Sequence, residues 1–174
     1  MQAQGFRNFN LHFNIPYYVL RTEEKLRRDS RIRTNGKPLR DSWELPSLSE
    51  DVQTAASTGM VDCVYEAHIA VAVTGIDNWV WTAYGFVDTY FEAEDSVESY
   101  DQLNGEYGGR ADPFSCGVLD SDRPIPTPRA YFLRVVEIRI LGVVREWSAI
   151  VRRMETDIRE YVYASNWQCF SLCA

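Results

Sequence analysis

The chain is poor in the residues that most reactions and most anchors require. Of its 174 residues, two are histidine and four are cysteine. Cys63, Cys116, Cys169 and Cys173 are too few and too scattered for a disulfide scaffold. Cys169 and Cys173 stand at helical i, i+4 spacing, but no second Cys or His pair accompanies them, which argues against a zinc site. No apolar stretch approaches the ~20 residues needed to cross a bilayer. The first residues lack a charged segment leading into an apolar run, and no Asn-x-Ser/Thr acceptor occurs. "GEYGGRADP" holds glycines without the Lys-Ser/Thr pair that a phosphate loop requires. These absences fit a reduced, cytoplasmic protein without a membrane span.

Basic charge is also in short supply. Eighteen Lys and Arg face 25 Asp and Glu, for a net charge of −7, the wrong sign for a general nucleic-acid binder. The charges are unevenly spread. Residues 21–40 hold eight bases and three acids, whereas residues 41–120 hold sixteen acids and a single base, Arg110. The basic segment is therefore placed either to pack near the acidic middle or to form a separate solvated surface.

What is present in quantity is amphipathic pattern. Thr127-Pro128 is a helix start: a hydroxyl for free amides, then a proline whose missing N–H costs nothing in the first turn. Phe132, Val136, Ile140, Val143, Trp147, Ile150, Met154, Ile158 and Tyr161 follow in steps of three and four. A helix over 127–162 would span ~50 Å at ~1.5 Å per residue, far longer than usual for so small a chain. Residues 163–174 read as an irregular tail.

Upstream, Phe9, Leu11 and Phe13 alternate as a strand at about 7–14 that meets Pro16 and a second aromatic-aliphatic run, so continuation beyond a proline bend stays open. Residues 22–60, with "NGKP", "LPSLSED" and "STG", read as loop with short local structure. "VDCVYEAHIAVAV", a turn at "TGIDN" and "WVWTAYGFVDTYF" read as a β-hairpin near 61–91. Composition and periodicity change between Ser121 and Pro126. The expected fold is α+β: a small, mostly antiparallel β-sheet over 1–126 with a long C-terminal amphipathic α-helix, within one domain.

Candidate chemistry is sparse. Asp88, Glu92, Glu94, Asp95, Glu98 and Asp101 could hold a hard cation such as Mg²⁺ through carboxylate oxygens. No calcium-loop spacing accompanies them, and a solvated acidic face is the preferred reading. His12 and His68 lie inside apolar strand patterns without a serine elbow or cysteine signature, as structural histidines do. Asp29, Arg31 and Arg40 could pair with acids of the middle segment or bind an anion. Trp79, Trp81, Tyr84, Phe86, Tyr90 and Phe91 read as core rather than as a stacking platform.

Several strings resemble a group of fungal proteins described as CorA-like Mg²⁺-transporter domain proteins. They are "FNLHF" with "PYYVLR" (9–21), "DSR" and "PLR" (29–31, 38–40), "WVWTAYGFVDTYF" (79–91), "DPF" (112–114), and "PRAYFLRVVEIR" with "REW" (128–147). The resemblance implies a soluble region ahead of two membrane helices, with the segment from Thr127 as a stalk leading toward a pore. It also implies a Gly-Met-Asn loop that selects hydrated Mg²⁺. This chain departs there, because its Gly59-Met60 pair is followed by Val61, and no pore residue carries over. The tail's Trp, Phe and Cys residues suggest a truncated or divergent end.

The function these observations favour is a non-enzymatic domain similar to the cytosolic part of such a transporter. It would conduct no ions itself and would act by self-association or protein-partner binding through the 127–162 helix. The alternative is an enzyme or accessory protein of a fungal biosynthetic pathway. Its small-molecule pocket would be lined by the aromatic strand, with His12, His68 and Asp88 in reach. A third reading is Mg²⁺ sensing by the acidic 88–101 face.

Overall fold

The alternation that begins at Val61 builds the central strand of the protein. In the computed structural model, which describes residues 8–45, 59–92 and 110–171 and side chains as far as Tyr163, this strand runs Val61–Gly75. It is β3; β1 spans Phe9–Glu23, β2 Ser42–Leu45 and β4 Trp81–Val87. Cys63, Tyr65, Ala67, Ile69, Val71 and Val73 are all buried, while the even-numbered residues between them are partly covered. A period of two sends alternate side chains to opposite faces, so one face of β3 is a continuous core. The strands form one four-stranded antiparallel sheet in the order β1-β3-β2, with β4 also paired to β3. With a single long helix, α1 (Pro128–Ser171), the fold is α+β as the pattern implied.

Two boundaries go beyond the shorter reading of the sequence. β1 takes the continuation left open there and runs through Pro16 to Glu23. A proline withholds one ladder donor, which is tolerated in β1 because it is the end strand of the order. The helix backbone continues beyond 162 to Ser171.

The chain forms two compact units, one of Met1–Tyr17 with Ala67–Val143, the other of Tyr18–Glu66 with Val144–Ala174. In the first, β4 pairs antiparallel with β3 from Ile69 opposite Val87 to Gly75 opposite Trp81. Asp77 holds the connecting turn, its Oδ1 accepting the backbone N–H groups of Trp79 (2.7 Å) and Val80 (2.8 Å). This is the local side-chain capture for which Asp is favoured in turns. A Cβ at Gly75 would stand 2.5 Å from the Val80 carbonyl oxygen, so the close approach admits only glycine. The core of this unit contains Ile69, Val71, Val73, Phe91, Ala111, Tyr131 and Val135. Phe13 packs on Phe132 (centroids 5.8 Å apart) and Trp81 on Tyr131 (5.2 Å).

In the second unit, β2 pairs antiparallel with the start of β3, Ser42 opposite Tyr65 through Leu45 opposite Asp62. The segment that leads into β2 turns at Gly36, whose φ of 79° suits a residue without Cβ, and Ile32 bridges Pro38. Val19, Cys63, Tyr65 and Ile150 are its buried hydrophobic residues. The Tyr65 hydroxyl donates to Glu23 Oε2 (2.8 Å) and accepts the Arg27 backbone N–H (3.2 Å). Burial, reinforced by the hydrogen bond to Glu23, pushes its pKa upward.

Candidate interaction surface

Apolar periodicity alone does not say which face of α1 is buried. Within the first unit, the buried helix residues are Pro128, Tyr131, Val135 and Arg139. Arg139, only 5% exposed, donates from Nε to the Phe114 carbonyl (2.7 Å) and from Nη2 to the Pro113 carbonyl (2.9 Å). These carbonyls belong to a 3-10 turn, Pro113–Ser115, capped by Asp112, which accepts the Phe114 N–H (3.1 Å). The Tyr131 hydroxyl donates to both oxygens of the same carboxylate (3.2 and 3.0 Å). Burial first, and then the Asp112 charge, raises the Tyr131 pKa and keeps the phenol protonated. The "DPF" string is thus a structural clamp: Asp112 orders the turn and Arg139 binds two of its carbonyls, that of Pro113 being shared with the Cys116 N–H.

Within the second unit, Ile150 and Asp157 are buried, and Glu146 and Arg153 are half-buried beside them. Arg21 pairs with Glu146 (3.1 Å), and Arg153 pairs with both Asp62 and Asp157. Burial alone would lower the Arg153 pKa, but hydrogen bonding to Asp62 and the charge of Asp157 carry it upward. The helix therefore turns a row of charges inward here. Of the apolar stripe read in the sequence, Ile140, Trp147, Met154, Ile158 and Tyr161 are exposed, Phe132, Val136 and Val143 are half-buried, and Ile150 is buried. The charged row can be covered here because Asp62 and Arg21 supply its partners, whereas an unpaired ion buried at these positions would cost several kcal/mol.

From Val144 to Val162 the exposed part of the helix in this unit is itself segregated. At ~100° per residue, Val144, Trp147, Val151, Met154, Ile158, Tyr161 and Val162 fall within one ~100° sector, while Arg145, Arg152, Glu155, Thr156 and Arg159 occupy another. Trp147 extends this apolar surface onto Tyr18 (5.5 Å between centroids), which in turn meets the half-exposed Trp43 (6.0 Å).

The other candidates disperse. His68 bonds through Nε2 to the Asn14 side chain, and its carbonyl accepts the Asp88 backbone N–H (3.0 Å). His12 is exposed and, among the described residues, pairs with neither. Asp88 is buried and Glu92 half-buried; Glu94, Asp95, Glu98 and Asp101 lie outside the described residues. Among the described residues, no group of three or more His, Cys, Asp or Glu is placed to hold a metal ion. Arg31 folds onto Asp29 through Nε (2.8 Å) and Nη2 (2.6 Å). Burial opposes ionisation of Asp29, but these bonds outweigh it and hold the carboxyl below its ordinary range. Arg33 approaches the middle segment, 3.8 Å from Glu66.

Contrary to the hydrophobic pattern, the aromatic strand contributes little to the core. Trp79 is 88% exposed at the hairpin tip, Tyr84 and Phe86 are exposed on β4, and only Phe91 is fully buried. A strand paired on one side and covered on one face must send alternate residues outward, whatever their hydrophobicity. Trp81 alone of this strand lines the cavity of about 180 Å³ formed with Asp112, Phe114, Leu119, Ile125 and Tyr131. That volume lies below the ~300 Å³ at which small-molecule pockets usually begin. Among the described residues, no helix is long and apolar enough to cross a membrane. No protein-family model, curated protein or solved structure matches the chain.

Proposed function

We propose that this protein is a non-enzymatic interaction domain that binds a protein partner through the apolar face of α1, similar in role to the soluble region of a CorA-like protein and conducting no ions itself. The observation that carries this reading is the continuous apolar sector from Val144 to Tyr161, left exposed while charged residues of the same helix turn inward. Isolated exposed apolar residues are ordinary; a contiguous stripe along one helix face is the signature of a surface awaiting a partner. Helix-in-groove and helix-on-helix recognition both use anchors at this spacing.

Hydroxyl-radical footprinting of Trp147 and Met154 in the full chain tests it. Both should oxidise several-fold more slowly in extract of the cells that make the protein, or at high concentration of the protein itself, than in dilute purified form. Equal oxidation under all three conditions would sink the reading.

A further inference from the structure

We infer that the occupant of this face is a second copy of the same chain, paired helix to helix in antiparallel orientation, an inference that rests on the interaction reading above. The argument begins with spacing. Val144, Trp147, Val151, Met154, Ile158 and Tyr161 recur in strictly alternating steps of three and four. That period of 3.5 is the repeat of a coiled-coil seam, whereas a helix lying on a sheet needs only the 3.6 period of the α-helix. The inward row of the same segment, Glu146, Ile150, Arg153 and Asp157, already serves the packing of the unit. The outward seam is a second, independent pattern.

Side-chain size then sets orientation and partner. The seam alternates β-branched residues (Val144, Val151, Ile158) with large ones (Trp147, Met154, Tyr161). In a parallel pair, identical residues would meet, Trp147 against Trp147 and Val151 against Val151, giving layers of very unequal volume. In an antiparallel pair related by a two-fold axis between residues 152 and 153, every layer joins a β-branched residue to a large one. Val144 meets Tyr161 of the second copy, Trp147 meets Ile158, and Val151 meets Met154. Uniform layers are what close packing requires, and the two-fold arrangement closes without leaving an open end. At the flank, Ser148 falls opposite Glu155 of the second copy, so no like charges meet there.

The area reaches the lower limit. Six side chains, each about half exposed, offer at most on the order of 500 Å² per copy, or ~1,000 Å² in the pair, the least that a specific interface needs.

Sedimentation or light scattering of the full chain should give twice its 20.1 kDa mass at micromolar concentration. Val151→Glu sits at an exposed position, so its circular dichroism should match the parent while its dissociation constant rises at least ~100-fold, the cost of burying a carboxylate in the seam. Val144→Lys and Tyr161→Glu should each weaken the pair and together restore it, since antiparallel pairing sets these positions against each other. A parent that stays monomeric at ~100 µM overturns the inference, as does a dimer indifferent to Val151→Glu. A double variant no better than either single one overturns the antiparallel register. A monomeric parent whose Met154 is protected in extract would end this inference and leave the interaction reading standing.

Discussion

Each of the two units packs its own stretch of α1, and they do so by opposite means. In the first, Tyr131 and Val135 bury apolar surface, and the one charged residue turned inward, Arg139, is satisfied by neutral carbonyls of the Pro113–Ser115 turn. In the second, the inward residues are Glu146, Ile150, Arg153 and Asp157, and three of the four are ionised groups held by Arg21, Asp62 or one another. Apolar burial is indifferent to salt and pH, whereas ion pairs respond to both. The difference also accounts for the exposed seam: where charges occupy the inward row, the apolar residues of an amphipathic helix are left outside.

The sharpest way to break this comparison is at Arg139. Arg139→Met keeps the bulk of the side chain but removes its donors from two carbonyls, and should cost about 3 kcal/mol. For a chain of this length that lowers Tm by roughly 6–12 °C, with little dependence on salt. A loss under 2 °C would show that the turn does not rely on this clamp.

Arg153→Met probes the second unit in the same manner. Asp157, buried, loses its partner while half-buried Asp62 can turn to water, so a smaller cost of about 1–2 kcal/mol is expected. Denaturant unfolding in ~1 M salt should shrink the difference between parent and variant, because the screening length falls to ~3 Å. A salt-independent difference would mean that packing, not charge, is what Arg153 contributes.

The smallest effect concerns Asp29, whose pKa is depressed by Arg31 in spite of burial. A depressed carboxyl stabilises the fold above its ordinary pKa and loses that contribution as pH falls through the folded value. The second unit should therefore weaken below about pH 4, the ordinary carboxylate range, and Asp29→Asn should flatten that acid limb by about 1 kcal/mol or less. Identical acid limbs for parent and variant would remove Asp29 as the cause.

Much of the fold could be read from local pattern because local pattern caused it. The β3–β4 hairpin follows from alternation around Asp77 and a glycine that only a close turn demands, and the helix begins where Thr127-Pro128 permits. Local pattern leaves open whether β1 continues past Pro16, because a proline's effect depends on whether its strand has one neighbour or two, and that is a property of the sheet. The candidate surface was only half visible. Trp147, Met154, Ile158 and Tyr161 are evident in the sequence as one apolar stripe, but that stripe also takes in Ile150, which is buried, and passes over Val144 and Val151, which are exposed. Nothing local to Arg139 or Arg153 announces the carbonyls or the Asp62 carboxylate that let those arginines be buried, since these partners are 25 or more residues away. Trp79 and Phe86 show the same limit: their hydrophobicity marks a strand, not its covered face.

By itself the sequence determined the elements: an antiparallel α+β pattern, an acidic chain, and a helix amphipathic along its length. These are set by propensity, period and capping, all of which act over a few residues. Only the tertiary structure decided which helix face is inside. That choice compares the free energy of burying apolar side chains with that of satisfying charges through distant partners, and those partners exist only once the strands have met.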